Sequence, residues 1–241
     1  MKKILIFVIC YRTSSRVLKV FKKIKSIKNK KFKLRILISD NNSPDDTITY
    51  IKKIQNKNKI FVNFNKKNLG FGGNVKFCLK FAIKKKFDFA LMAHGDDQYD
   101  PRNLNRLLKK FSSSYNCAAV TGSRMLIKKN ALKGVMPIHK FIGNIVLTKI
   151  FNFLMKTNVT DAHSGLWLYN LKKIKKIQLN KITNGYNFDS QLRLALTNKK
   201  YSIPEIPIKT KYADEPAKIH IVYAIRFFLD LLLNFTRNKF L

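Results

Sequence analysis

The segment HGDDQYDP, residues 94–101, sets two adjacent carboxylates, Asp96 and Asp97, and then a third, Asp100, directly after the apolar run FDFALMA. Acidic side chains are scarce in this chain, 13 against 49 basic ones, so a cluster of them needs a reason. Neighbouring carboxylates repel unless protons or a cation compensate them. A divalent metal, Mg2+ or Mn2+, is one such cation. It takes hard oxygen ligands, often one or two carboxylates completed by substrate phosphates. Asp96 is the leading candidate ligand, and Gln98 offers a further neutral oxygen. The competing use of an acid here is to cap a helix, and Asp100, just before Pro101, fits that better than metal binding.

Other polar groups also follow apolar runs. Asp40 ends LRILIS and is placed either to accept hydrogen bonds from a ribose or base, or to close an Asx turn with Asn41, Asn42 and Ser43. The stretch NLGFGG, residues 68–73, is a glycine loop whose spacing lacks the third glycine of a dinucleotide fingerprint. His94 and His163 read as hydrogen-bonded loop residues rather than ligands. Cys10, Cys78 and Cys117 are far apart, lack metal-ligand spacing and read as buried free thiols.

The elements that position these groups alternate. Strands are expected at 4–9, 34–39, 60–64, 87–93 and 117–123, where short apolar runs are bounded by turn residues. Between them lie helices, the first with Val17, Val20, Phe21, Ile24 and Ile27 on one face, the third with Val75, Cys78, Leu79, Ala82 and Ile83. This order predicts an α/β fold with a mostly parallel central sheet covered by helices on both faces. Ligands of such sheets bind beyond the carboxyl ends of the strands. Tyr11, Asp40, Asp96, Ser123 and Arg124 all fall at those ends. Beyond residue 125 the pattern changes. A helix is expected at 139–156, with Phe141, Ile142, Ile145, Val146, Ile150 and Phe153 as its apolar positions, suited either to an interface with anionic lipid or to packing on the sheet. A loop into a short strand follows at 161–170, a helix at 186–196, an edge strand at 203–212, and a helical tail at 219–237.

A chain of 241 residues with 46% hydrophobic content supports one full core. The net charge of +36 points to an anionic partner. Forty of the basic residues are Lys, in a chain also rich in Asn, Ile and Phe, and compositional drift explains part of that excess. No reading helix or aromatic–basic face marks a nucleic-acid module, so nucleic acid is not expected as a partner, and a basic nucleic-acid-binding protein is kept only as the alternative from a different class. No signal peptide and no membrane span are expected.

Eight segments, in order, resemble family 2 glycosyltransferases of the GT-A fold, especially the dolichol-phosphate mannosyltransferase-like, polyprenyl-phosphate branch. They are VICYR (8–12), ISDNNSPDDT (38–47), NLGFGGNVKFCLKFA (68–82), HGDDQYDP (94–101), TGSR (121–124), DAHSGLWLY (161–169), YNFDSQL (186–192) and EIPIKTKY (205–212). The resemblance implies a three-layer αβα catalytic domain over residues 1–215, followed by a C-terminal amphipathic helix at 216–241. It also implies an inverting transferase that takes a sugar from a UDP- or GDP-sugar. The expected acceptor is a lipid-linked one such as polyprenyl phosphate, and a cell-surface polysaccharide or lipopolysaccharide glycan is the alternative. The expected location is cytoplasmic, peripheral at an anionic membrane face, in cell-envelope biogenesis.

On this resemblance Tyr11, Asp40 and Asn42 belong to the nucleotide site, and Leu69, Gly70 and Gly72 form a loop near the sugar nucleotide. Asp96 matches the last carboxylate of the D-x-D metal motif, and Gln98 a further ligand. His94 replaces the first carboxylate of that motif, and Asn41 replaces the second carboxylate of D-D-G-S. Ser123 and Arg124 would approach a donor or acceptor phosphate. Asp161 is the first candidate general base and Asp189 the second, and Asp161 reads equally as a turn carboxylate that anchors the Ser164–Gly165 loop.

Overall fold

The computed structural model describes residues 1–128 and 136–210. The helical tail expected at 216–241 lies outside the described residues. Within them, seven strands form one sheet: β1 (Lys2–Cys10), β2 (Phe32–Asp40), β3 (Phe61–Phe64), β4 (Phe89–His94), β5 (Ala119–Ser123), β6 (Trp167–Asn170) and β7 (Glu205–Pro207). The spatial order is β3-β2-β1-β4-β6-β5-β7. The helices are α1 (Arg16–Lys25), α2 (Thr47–Lys57), α3 (Phe71–Lys84), α4 (Leu104–Ser112), α5 (Ile138–Met155), α6 (Leu171–Ile174) and α7 (Phe188–Asn198).

β1 shows why the sheet is covered on both sides. Its run ILIFVI is apolar at every position, as a strand buried on both faces must be. Ile4, Ile6 and Val8 pack with α1, α2 and α4 through Val17, Val20, Ile51, Leu104 and Leu107. Leu5, Phe7 and Ile9 pack on the opposite side with α3 and α7 through Val75, Leu79, Leu192 and Ala195. The three cysteines are free and buried, as expected. Burial pushes the thiols of Cys78 and Cys117 up, to about 12 and about 11.

Register brings the polar residues to one edge. Cys10 pairs with Asp40, Ile9 with His94, and Asp40 with Phe64, all in parallel ladders. One expectation is modified. The fifth strand does not lie beside the fourth: β6 inserts between them and runs antiparallel to both. Because β6 enters at Trp167, opposite Met92 and Thr121, the loop before it lies at the same carboxyl edge as His94. β7 sits at the margin of the sheet, where a strand holding Pro207 loses no ladder bond.

α5 turns part of its expected apolar set away from the sheet. Ile142, Val146 and Phe153 are exposed. The buried side carries Asn144, Thr148, Phe151 and Met155.

Two glycines give opposite tests of packing. A Cβ on Gly72 would lie 2.6 Å from both the Thr183 carbonyl oxygen and Phe188 Cβ, whereas one on Gly143, inside α5, would meet nothing within 4 Å. Gly72→Ala is expected to destabilise the chain by about 1–3 kcal/mol through overpacking. Gly143→Ala is expected to stabilise it by about 0.5–1 kcal/mol by restricting the unfolded backbone. Urea denaturation of the two variants measures both, and equal midpoints would contradict this packing.

Candidate active site at the carboxyl edge

Asp40 ends β2 and is fully buried. Ser43 donates its backbone N–H and its hydroxyl to the carboxylate, at 2.9 and 2.5 Å. This is the Asx turn that the sequence allowed, and it holds the loop above β2. Asn42 stands exposed at its tip with a left-handed φ of 61°, which asparagine tolerates. Tyr11, at the end of β1, is 42% exposed, and the Arg12 guanidinium lies 5.5 Å from its ring centroid.

Asn41 explains its own departure from the family pattern. Its amide donates to Asn68 Oδ1 and the Gly70 carbonyl, while its oxygen accepts from the Leu69 N–H and Asn65. A carboxylate could not donate. The amide therefore ties β2 to the glycine loop, and Asn65, Asn74, Asn63 and Ser39 extend the network beneath it.

The glycines answer to a second loop. Gly70 has φ 76°, and a Cβ there would lie too close to the Asn184 carbonyl oxygen, at 2.4 Å. The N–H groups of Gly72 and Gly73 donate to the carbonyls of Gly185 and Asn184. Leu69, Gly70 and Gly72 thus lie in one loop held against residues 184–185. The first-turn N–H groups of Gly72 and Gly73 are engaged within the protein instead of cradling phosphate.

The acidic cluster divides its labour. Asp100 caps the turn at Pro101–Asn103, accepting from the Arg102 N–H and guanidinium. Asp97, at φ 64°, is ion-paired with Lys23 of α1 at 2.5 Å. Asp96 accepts the Gln98 N–H through one oxygen at 3.0 Å, and its second oxygen makes no hydrogen bond among the described residues. The Gln98 side chain lines a small hollow with Lys23, Asp97, Lys209 and Thr210, and Asp96 is not part of that wall.

His94 lies between Phe71 and Tyr99, at centroid distances of 5.9 and 5.1 Å. Its buried Nε2 has no hydrogen-bond partner. Burial lowers its pKa, partly opposed by the Asp96 charge, so the ring is neutral near pH 7. No group of three or more His, Cys, Asp or Glu side chains gathers among the described residues. A free carboxylate oxygen on Asp96, with a neutral imidazole two residues away, fits a metal that takes most of its ligands from a substrate diphosphate.

Asp161 was expected as either a base or an anchor, and its surroundings argue for the anchor. The Arg124 guanidinium donates to both of its oxygens at 2.7 and 2.8 Å, and the Arg124 N–H adds a third bond at 3.0 Å. Asn144 of α5 and the His163 N–H also donate to it. Burial alone would raise the pKa of this carboxyl. The charge and hydrogen bonds of Arg124, helped by Asn144, overcome that and hold it far below the usual range. A carboxylate that acidic and that saturated with donors is a weak proton acceptor.

The same pair engages Arg124, whose expected role was to clamp a phosphate. Ser123 is also corrected. It is fully buried, sits 2.6 Å from the Thr160 hydroxyl, and accepts the N–H groups of Met125 and Leu126. Glu205 of β7 accepts from Thr160 and completes this anchor.

Asp189, in the first turn of α7, is different. Burial pushes it up to about 8, although the Arg193 charge opposes the shift. Its Oδ1 has no hydrogen-bond partner. Arg193, one turn on, lies 4.8 Å from the Trp167 ring and reaches Thr121 at 3.4 Å.

Lys23, Asn65, Asn74, Asn144, Arg193 and Glu205 escaped the sequence reading. Asn144 had a signal, as a polar residue inside an apolar helix. The others bond across distances that spacing does not reveal. Asp161→Asn leaves the Arg124 charge buried without its carboxylate, which costs about 3–5 kcal/mol. Thermal or urea denaturation is expected to show that loss, and a variant as stable as the parent would overturn the anchoring role.

The family model described as glycosyl transferase family 2 matches residues 5–178. An uncharacterised protein of Methanocaldococcus jannaschii is 30% identical over 192 residues, 79% of this chain and 75% of that one. The UDP-N-acetylglucosamine–dolichyl-phosphate N-acetylglucosaminyltransferase of Methanococcus voltae is 27% identical over 195 residues, 74% of this chain and 75% of that one. In fold, the chain is similar to glucosyl-3-phosphoglycerate synthase from Mycobacterium tuberculosis, solved with Mn2+, UDP and phosphoglyceric acid. The TM-score is 0.70 at 12% identity, over 97% of this chain and 78% of that one. With the matched segment spanning well over half its length, this chain belongs to glycosyl transferase family 2 and is a nucleotide-sugar-dependent glycosyltransferase of the GT-A fold.

Proposed function

We propose that the enzyme inverts a sugar during transfer from a UDP- or GDP-sugar to a lipid-linked acceptor, polyprenyl phosphate. An oxygen of the acceptor phosphate attacks the anomeric carbon as the bond to the nucleoside diphosphate breaks. The leaving diphosphate carries away the electron pair. Asp96, with Gln98 and the neutral His94 beside it, would hold Mg2+ or Mn2+, which offsets the charge growing on that leaving group. Tyr11 offers an exposed ring to the base, and Asp40 and Asn42 form the loop that borders the nucleotide. Leu69, Gly70 and Gly72 border the sugar. The acceptor relationship draws on the Methanococcus voltae relative, whose name specifies dolichyl phosphate.

The observation that carries the choice of acceptor is Asp189, buried and pushed up to about 8. It follows Phe188, which packs against Gly72 of the glycine loop. At pH 7 such a carboxyl is mostly protonated. It places no negative charge beside an incoming phosphate, which is already ionised and needs no base. A hydroxyl acceptor, such as a glycan of the cell surface, would instead need Asp189 ionised.

Calorimetric titration of UDP and GDP, with and without Mn2+, tests the donor half. Metal-dependent binding is expected, weakened at least tenfold in Asp96→Ala, and metal-independent binding of equal strength in both proteins would remove Asp96 from the site. The acceptor half is tested by pH. With polyprenyl phosphate, the parent rate is expected to fall as pH rises through about 8 and Asp189 ionises. Asp189→Asn should lack that fall and stay within about tenfold of the parent at pH 7. A loss of about 10²–10⁴-fold in this variant would make Asp189 a base and the acceptor a hydroxyl.

A further inference from the structure

α5 is solvated along the wrong stripe for a soluble helix. Ile138 is 70% exposed, Ile142 55%, Val146 49% and Phe153 84%. At 3.6 residues per turn these four, with exposed Lys149 among them, fall within an arc of about 80°. The opposite side is buried and holds Asn144, Thr148, Phe151 and Met155. Leu126 and Ile127, 42% and 46% exposed, directly follow the Arg124–Met125 segment, which packs on α5 through Phe141 and Ile145. A helix that is apolar all round is normally enclosed, and an apolar surface of this extent on a chain marks an interaction site.

Charge selects the partner. From Pro101 to Thr160 the chain has no Asp or Glu, and it carries eleven Lys and Arg over that span. An apolar stripe set in an acid-free basic segment matches an anionic bilayer surface, where apolar side chains enter the acyl boundary and lysines meet headgroups.

The buried side of the same helix reaches the candidate site. Asn144 donates to Asp161, the Thr148 hydroxyl accepts the Ala162 N–H, and Asn152 bonds Val159 at both its N–H and its carbonyl. We infer that α5, with Leu126 and Ile127, is a membrane-docking surface that sets the 159–163 loop of the catalytic edge against an anionic lipid bilayer. Among the described residues no helix is long and apolar enough to cross a membrane, so this contact is one of lying on the surface. Its use in presenting a lipid-linked acceptor rests on the function proposed above, but the docking itself does not.

The test is sedimentation of the full chain with sucrose-loaded vesicles of phosphatidylcholine containing 0–40% phosphatidylglycerol, without donor or acceptor (roughly the range over which anionic surface potential acts). Binding is expected to rise with the anionic fraction, to weaken with salt, and to fall at least tenfold in Ile142→Ser/Val146→Ser/Phe153→Ser. That triple variant should keep the parent's UDP affinity and thermal midpoint, since its three side chains are solvated. Phe153→Trp gives a second reading that needs no loss of apolar surface: the emission of the introduced indole should shift to the blue on anionic vesicles and be quenched by lipids brominated on their acyl chains. A parent that stays in the supernatant, a triple variant that binds as well as the parent, or an indole emission blind to vesicles would each overturn the inference. So would self-association that buries the face, seen as concentration-dependent sedimentation abolished by the triple variant. Failure of the glycosyl-transfer reading would leave the vesicle result unchanged.

Discussion

The buried pair of Arg124 and Asp161 is the constraint on which the catalytic edge depends. It joins the end of β5 to the loop that enters β6, and Asn144 draws α5 into the same knot. Charges out of water are costly unless geometry and hydrogen bonds compensate them. Here two parallel bonds and three further donors do so, which leaves neither partner idle. The pair thereby becomes architecture. Once it is in place, Ser123, Thr160 and Glu205 close a second layer of contacts, and Gly165 comes close enough to His94 that a side chain there would collide with the ring.

A consistent principle separates the acids at this edge. Each of Asp40, Asp97, Asp100 and Asp161 has a specific cation or set of donors. Asp96 keeps one oxygen outside any hydrogen bond among the described residues, and Asp189 lies buried with an unpartnered oxygen. Structural carboxylates are satisfied locally. The two that are not fully satisfied are the ones whose surroundings can change when charge arrives, and Asp189, pushed up by burial, is the kind of group that functional sites collect.

Much of the fold was legible because its signals are local. Period-3.6 faces marked α1 and α3, and fully apolar runs marked β1 and β4. The alternation of the two led directly to a parallel sheet with its polar residues on one edge. What was illegible depends on distant partners. LWLY is too short a run to announce that β6 would slip between β4 and β5. Asp161 looks the same in sequence as base or as anchor until Arg124, 37 residues away, is seen to grip it. α5 stayed open for a physical reason: with Ile, Val, Phe, Leu and Met around most of its circumference, the pattern fixes a helix but not which side faces inward. The buried Asn144 and Thr148 decide that, through bonds to the 161–162 segment.

The insertion of β6 also governs when the sheet can be completed. β1 to β4 arise within the first 94 residues and their parallel ladders close among themselves. β5 follows at residue 119 but has no place beside β4, because the ribbon that bridges them is residues 167–170. During synthesis β4 therefore remains an open margin until residue 167 emerges, with its backbone groups unpaired on one side. Nascent chains with such margins favour pairing with neighbours. The brevity of the missing strand limits that hazard. Four residues leave only a short template for a wrong partner, and the lysines that crowd this chain keep its copies apart until Trp167 arrives.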